Sequence, residues 1–238
     1  MNVLRSTSTR FDAVICLNGT LPAADIFDHV ADRPFIAADG AAAVLYAMGI
    51  VPEFIVGDLD SVPPELLEEL RRNAEIIHDP DQDVNDFEKA LRFAGSMVWR
   101  RVLVTGLHGG DLEHTLNNWS VMMRYGREMS LVALDRDRYG VPLYGSVAYE
   151  STPGELISLI PQPHARLTTS GLVWPLANEE LMLGTREGAR NRANAERVEI
   201  TLHEGALFFF CDAALPLAPE FVEGAILATP TTDNSEET

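Results

Sequence analysis

From Phe11 to about Leu134, short apolar runs alternate with segments of helical periodicity, and this alternation restricts the fold more than any other feature of the chain. It is the rhythm of repeated βα units, which build a parallel sheet covered on both faces. The expected strands are 13–17, 35–38, 54–56, 75–78, 102–105 and 131–134. Between them, the alanine-rich segment 40–48 is closed by Gly49, with Pro52 beyond, a helix with a C-terminal stop. Residues 64–72 place Leu66, Leu67 and Leu70 on one face, and 86–94 do the same with Phe87, Ala90, Leu91 and Ala94, so both are amphipathic helices. A further helix is expected over 115–125.

After about Arg136 the texture changes. Helical periodicity fades, and strand-like pieces at 146–149, 156–160, 198–202 and 206–210 are punctuated by glycine and proline, which reads as a small all-β domain. The expected organisation is an α/β unit over residues 1–140, an all-β unit over 141–228 and a disordered acidic tail over 229–238.

With 238 residues the chain can bury a sizeable core. No apolar run approaches the roughly 18 to 20 residues needed to span a bilayer, and the polar segment 1–10 does not read as a signal sequence. A cytoplasmic protein is expected. Cys16 and Cys211 sit in apolar contexts, where a thiol behaves as a small hydrophobe. The net charge of −18 argues against binding a phosphate backbone. Arginine supplies 17 of the 18 basic residues and Lys89 is the single lysine.

In open parallel sheets ligands bind outside the carboxyl ends of the strands, and these strands run into informative residues: Asn18-Gly19, Asp39-Gly40, Gly57-Asp58, Asp79 to Asp86, and Gly106. Carboxylates gathered on such a rim repel one another unless a cation joins them. Hard oxygen ligands suit Mg²⁺ held together with substrate phosphates. Asp39 can equally cap a helix. Asp58 and Asp60 bracket one residue in a glycine-led loop and can project towards one ion, whereas Ser61 is placed to cap the helix that follows.

A second cluster, 79–89, runs into a helix that Asn85 or Asp86 can cap. Asp86 and Lys89 share a helical face and could hold metal and phosphate respectively; Glu88 and Arg92 have the spacing of a surface pair. In a third cluster, 106–114, glycines at 106, 109 and 110 permit close backbone approach, and exposed amides at the helix start could bind an anion. The P-loop pattern occurs nowhere.

Taken together, ADGAA (38–42), GDLDS (57–61), DPDQDVNDFEKAL (79–91), GLHGGDLEHTLNN (106–118), TTSGLVWPL (168–176) and Gly184-Thr185 resemble the thiamine pyrophosphokinase family. The resemblance implies an N-terminal α/β domain with a largely parallel, Rossmann-like sheet and a C-terminal β-sandwich that binds thiamine. It also implies a homodimer with its active site at the subunit interface. The implied reaction transfers pyrophosphate from ATP to thiamine, giving thiamine diphosphate and AMP, with Mg²⁺ as cofactor.

Carried over residue by residue, the resemblance assigns Asp58, Asp60 and Asp86 to Mg²⁺ or Mg-bound phosphates, with Asp39 nearby and Gln82 and Lys89 close to the nucleotide phosphates. Gly109 and Gly110 would approach the nucleotide, Asp86 or Glu113 would be candidates for accepting the hydroxyl proton, and Ser170 and Trp174 would meet thiamine. The chain departs from the family where Asp111 and Glu113 replace the usual arginine and aspartate, where Asn85 replaces a threonine, and where Arg190 replaces a serine before Asn191. Those departures leave two other functions open: a non-catalytic homologue that binds nucleotide or thiamine, and a pyrophosphokinase with another hydroxyl acceptor.

Overall fold

The computed structural model describes residues 1–223. The tail 229–238 and residues 224–228 lie outside the described residues. The described chain begins with β1 (Asn2–Arg10), β2 (Ala13–Cys16), α1 (Ala24–Asp28), β3 (Phe35–Ala38), α2 (Ala41–Ala47), β4 (Phe54–Gly57), α3 (Pro64–Leu70) and β5 (Glu75–His78). It continues through α4 (Asp86–Ser96), β6 (Arg101–Thr105), α5 (Leu112–Tyr125), β7 (Ser130–Asp135) and β8 (Arg138–Leu143). Six strands then close it: β9 (Val147–Glu150), β10 (Leu156–Ser170), β11 (Glu179–Met182), β12 (Gly188–Arg192), β13 (Arg197–Asp212) and β14 (Leu217–Glu223).

Strands β7, β6, β2, β3, β4 and β5 lie in that order and pair in parallel throughout. The chain runs outward from β2 through β5, then returns to place β6 and β7 on the other side of β2. The order therefore reverses between β2 and β6, and a crevice opens at their carboxyl ends. Alternate residues of each strand face opposite layers. Val14, Cys16, Ala37 and Ile55 pack with Phe27, Ala42, Leu45 and Leu70 of α1 to α3. Ile15, Ile36, Val56 and Val104 pack with Phe87, Leu91, Val121 and Met122 of α4 and α5. Each Val, Leu, Ile, Phe or Met among them contributes about 1.5–3 kcal/mol by leaving water, which is why four-residue strands suffice here.

Beyond β7 the pairing turns antiparallel, through β8 to β13, and the hydrogen-bonded path ends in β9, β1 and β14. The mixed sheet with helices on the parallel part matches the expected class. Helix α1 and strand β8 are additions to the sequence reading, and two further features differ from it. The segment 2–10, which reads as a polar lead-in, is a strand that pairs in parallel with β9 and antiparallel with β14. Its Ser and Thr residues leave little apolar signal, so partners far along the chain decide its conformation. The pieces 198–202 and 206–210 form one long strand, because Gly205 at φ +83° absorbs a register shift opposite Ala165 instead of ending the strand.

The hydrophobic core is shared across the two halves: Leu4, Val14 and Ile55 belong to the same buried cluster as Leu167, Val198 and Phe209. Both cysteines are free and buried, and burial pushes each thiol up to about 12. Among the described residues no helix is long and apolar enough to cross a membrane.

Candidate active site

The crevice between β2 and β6 is a cleft of about 240 Å³. Leu17, Asn18 and Gly19 leave β2 on one side, Gly106, Leu107 and His108 leave β6 on the other, and the starts of α2, α4 and α5 close the ends. Asp39, Ser61, Asp86, Gly110 and Asp111 line it, as do Asn18, His114, Asn117 and Asn118, to which the sequence motifs assign no role. The only available signal for those four is position, since each lies just beyond a strand end or on the first turns of α5.

At the acidic end, one carboxylate oxygen each from Asp39, Asp58 and Asp60 lies within 4.8 Å of the others. Three elements converge there because Gly57, the last residue of β4, has no side chain. A Cβ at 57 would stand 2.8 Å from the Asp39 Cβ and 3.2 Å from Asp86 Oδ1. Asp39 is 3% exposed and follows β3 in a left-handed conformation, φ +43°, which aspartate tolerates better than most residues. It does not cap α2, which has no side-chain cap. Its Oδ1 is buried and has no hydrogen-bond partner. A buried carboxylate that has an unpartnered oxygen and lies beside two further carboxylates is costly without a cation. Three hard oxygen donors fit Mg²⁺.

Around this triad each polar group has a visible task. Gln82 Nε2 donates to Asp58 Oδ2 at 2.7 Å, and that bond, with help from the charge of Lys89, holds the Asp58 carboxyl below its ordinary range. Ser61 Oγ donates to Asp60 Oδ1 at 2.9 Å. This corrects the expectation for Ser61: the residue at the cap position of α3 is Pro63, and Ser61 holds Asp60 instead. The approach 79–83 is wound by Asp79 and Asp81, which accept from the amides of Asp81 and Asp83. Asn85 caps α4 by accepting from the Glu88 amide at 2.9 Å.

Asp86 stands at the neighbouring edge of the triad, on the first turn of α4. Lys89 Nζ reaches Asp86 Oδ1 at 3.1 Å and Asp58 Oδ2 at 3.7 Å. Burial raises the Asp86 pKa, and the nearby charges of Asp39 and Asp58 raise it further, against the pull of Lys89. Burial also opposes the charge on Lys89, but the hydrogen bond to Asp86 and the surrounding carboxylates outweigh it and raise its pKa. The single lysine of the chain is thus a committed cation at the centre of the acidic rim. Glu88 and Arg92 do not pair as their spacing suggests: Glu88 binds Arg124 and Tyr125, and Arg92 reaches Asp81.

On the far wall, Asp111 occupies the cap position of α5 but makes no side-chain cap bond. Glu113 is exposed on the first turn of α5 and is not among the residues lining the cleft. Gly109 precedes Gly110 at φ +100°. His108 Nε2 lies 3.1 Å from Asp135 Oδ1. Ser170 ends β10, and Trp174, 61% exposed, stands in the loop beyond it; neither lines the cleft.

A doubly covered parallel sheet carrying an acidic, glycine-lined cleft at its point of strand reversal defines an α/β enzyme of the nucleotide-handling class. Two family models match the chain: thiamin pyrophosphokinase, catalytic domain, over residues 30–133, and thiamin pyrophosphokinase, vitamin B1 binding domain, over residues 147–207. The chain belongs to the thiamine pyrophosphokinase family. It is 31% identical over 221 residues to thiamine pyrophosphokinase 1 of Oryza sativa subsp. japonica, covering 79% of this chain and 83% of that protein. It is 29% identical over 227 residues to thiamine pyrophosphokinase 1 of Arabidopsis thaliana, covering 82% and 84%. The crystal structure of yeast thiamin pyrophosphokinase superimposes with a TM-score of 0.75 over 87% of each chain at 16% identity, a likeness of fold.

Proposed function

We propose that this chain transfers the pyrophosphoryl group of ATP to the hydroxyl of thiamine, with Asp39, Asp58, Asp60 and Asp86 forming the Mg²⁺ and polyphosphate end of the site. The observation that carries this reading is the converging Asp39, Asp58 and Asp60 triad, with its unpartnered Asp39 oxygen and the Lys89 ammonium beside it. Family membership supplies the reaction.

Phosphoryl transfer requires positioning and charge neutralisation more than covalent chemistry. When bound, Mg²⁺ supplies charge neutralisation on the polyphosphate. Asp58, pre-set by Gln82, and Asp60, pre-set by Ser61, are the groups that hold it, together with Asp39. Lys89 keeps Asp86 and Asp58 oriented in the absence of substrate and offers its ammonium to phosphate. The glycines at 109 and 110 let the backbone before α5 come close to the nucleotide. The thiamine hydroxyl oxygen bonds to the β-phosphorus, the bond from that phosphorus to the oxygen bridging to the α-phosphorus breaks, and AMP leaves. The hydroxyl proton passes to Asp86, which lines the cleft and whose pKa burial raises, rather than to Glu113, which stands outside it.

In the proposed division of labour the α/β unit within residues 1–140 handles nucleotide and metal, and a β-sandwich from 141 onward handles thiamine, to which β1 lends a strand. Ser170 and Trp174 are the proposed thiamine contacts. The cleft of about 240 Å³ is smaller than the roughly 300–1,000 Å³ of sites that enclose a small-molecule ligand. Trp174 stands outside it. Both points support a homodimer in which one subunit's Trp174 completes the other's cleft. A reaction that consumes ATP suits the cytoplasm.

Incubation with ATP, Mg²⁺ and thiamine is the direct test: equal amounts of AMP and thiamine diphosphate are expected. Tight binding of both substrates without AMP release would overturn the catalytic reading.

A further inference from the structure

Trp174 is exposed, yet both of its backbone polar groups are bonded to one side chain. Asn191 Oδ1 accepts from the Trp174 amide at 3.2 Å, and Asn191 Nδ2 donates to the Trp174 carbonyl at 2.7 Å. One side-chain amide therefore satisfies both backbone groups of the tryptophan, as a neighbouring strand would. The same Oδ1 accepts from the Arg192 amide at 2.8 Å, which fixes the asparagine rotamer against its own strand.

The sutures continue on either side. Val173 N–H donates to the Arg192 carbonyl, Asn194 Nδ2 donates to the Leu172 carbonyl, and the Leu176 amide and carbonyl both bond to Thr169. Arg190, just before the clamp, adopts φ +59°, and the pairing of β12 with β10 shifts register between Ile157 and Leu159 at that point. A non-glycine residue held in the left-handed region is strained, and strain of this kind persists only where the surroundings enforce it. Here it accompanies the irregularity in β12 beside Asn191.

Folding gains little from pinning a loop whose largest side chain remains in solvent. A binding surface gains more, because an aromatic face already held in its bound position loses less freedom when a ligand packs on it. We propose that Asn191 is a positioning residue for the acceptor: it holds Trp174 as a rigid platform for the aromatic, cationic part of the substrate. The proposal rests on the reading of Trp174 as the thiamine contact.

Steady-state kinetics of Asn191→Ala, Trp174→Ala and the double variant separate the two ideas. Asn191→Ala is expected to raise KM for thiamine about tenfold, the equivalent of two lost neutral hydrogen bonds at about 1.4 kcal/mol in total. The values of kcat and of KM for ATP are expected to stay within about twofold, a split that general loosening of the fold does not produce. Trp174→Ala is expected to raise KM for thiamine at least as much. The double variant should match Trp174→Ala alone, because Asn191 acts through the indole.

If Trp174→Ala raises KM while Asn191→Ala does not, or if the two effects add, the clamp proposal is overturned and the platform reading stands. If Trp174→Ala leaves KM for thiamine unchanged, the platform reading itself fails. Should Asn191→Ala fail to fold, Asn191→Asp carries the same test, since it keeps the acceptor for the Trp174 amide and removes the donor to its carbonyl.

Discussion

Lys89 Nζ lies 3.1 Å from Asp86 Oδ1, one turn apart on α4, and the lysine is only 3% exposed. On a helix surface this spacing yields a weak ion pair. Here the helix start packs beside Gly57 and the acidic loop, so the same spacing places the one lysine between two carboxylates, those of Asp86 and Asp58.

Replacing Lys89 with methionine should therefore damage both stability and turnover. Removing one partner of a fully buried pair costs about 3–5 kcal/mol, but the Asp86 side chain keeps 36% of its exposure, and we expect about 1–2 kcal/mol. Urea unfolding would read that loss. Turnover should fall by about two orders of magnitude, as for loss of a charge-stabilising group in other active sites. Full activity at saturating Mg²⁺ would show that the metal alone neutralises the site.

Asp39→Asn should act in the opposite direction on stability. Its carboxylate has an unpartnered buried oxygen and lies beside Asp58 and Asp60, and an amide of the same shape removes the repulsion and adds donors. We expect a gain of about 1 kcal/mol, which is roughly 2–4 °C in Tm for a chain of this size, together with a smaller Mg²⁺-induced rise in Tm than the unsubstituted protein shows. A lower Tm in the absence of metal would make Asp39 structural.

Asp111 is positioned to report on the nucleotide wall. It lines the cleft and makes no cap bond, so Asp111→Arg sacrifices only the interaction of an anion with the start of α5, about 0.3–1 kcal/mol. An arginine there can add a charge-assisted hydrogen bond to a phosphate, worth about 1.5 kcal/mol, so KM for ATP should fall about tenfold. An unchanged or raised KM would place the polyphosphate elsewhere.

The N-terminal strand supplies a pH dependence remote from the cleft. Thr7 and Thr9 both donate their hydroxyls to the Glu220 carboxylate, and these two bonds lower its pKa below the ordinary value. A depressed carboxyl contributes stability that is present above the unfolded-state pKa and is lost as pH falls from about 4.5 through the folded value. Melting curves of Glu220→Gln should show a shallower acid-side loss than those of the parent chain. Parallel acid limbs would show that the β1 to β14 contact does not depend on this charge.

Much of the parallel half is legible in the amino-acid pattern. Strands 35–38 and 75–78 agree residue for residue, because short apolar runs set between helical segments have few alternatives. Residues whose partners are distant in the chain are harder to read. Strand β1 depends on β9 and β14, and the neighbours of Glu88 are Arg124 and Tyr125, more than thirty residues away and outranking the local Arg92. Local pattern assigns Ser61 to the nearest helix start, whereas the fold turns it to the carboxylate beside it.

Periodicity by itself determined the βα half, residue chemistry the carboxylates of interest, and the resemblance of the ordered motifs to a known family the family, because all three are carried by local sequence. Tertiary structure alone decided how those carboxylates group. Asp39 joins Asp58 and Asp60, while Asp86 is tied to a buried lysine, because strand order brings the ends of β3 and β4 side by side and Gly57 leaves room for them. The support of Trp174 by Asn191 is of the same kind: it depends on a register shift between two strands, and pairing register is a property of the folded sheet.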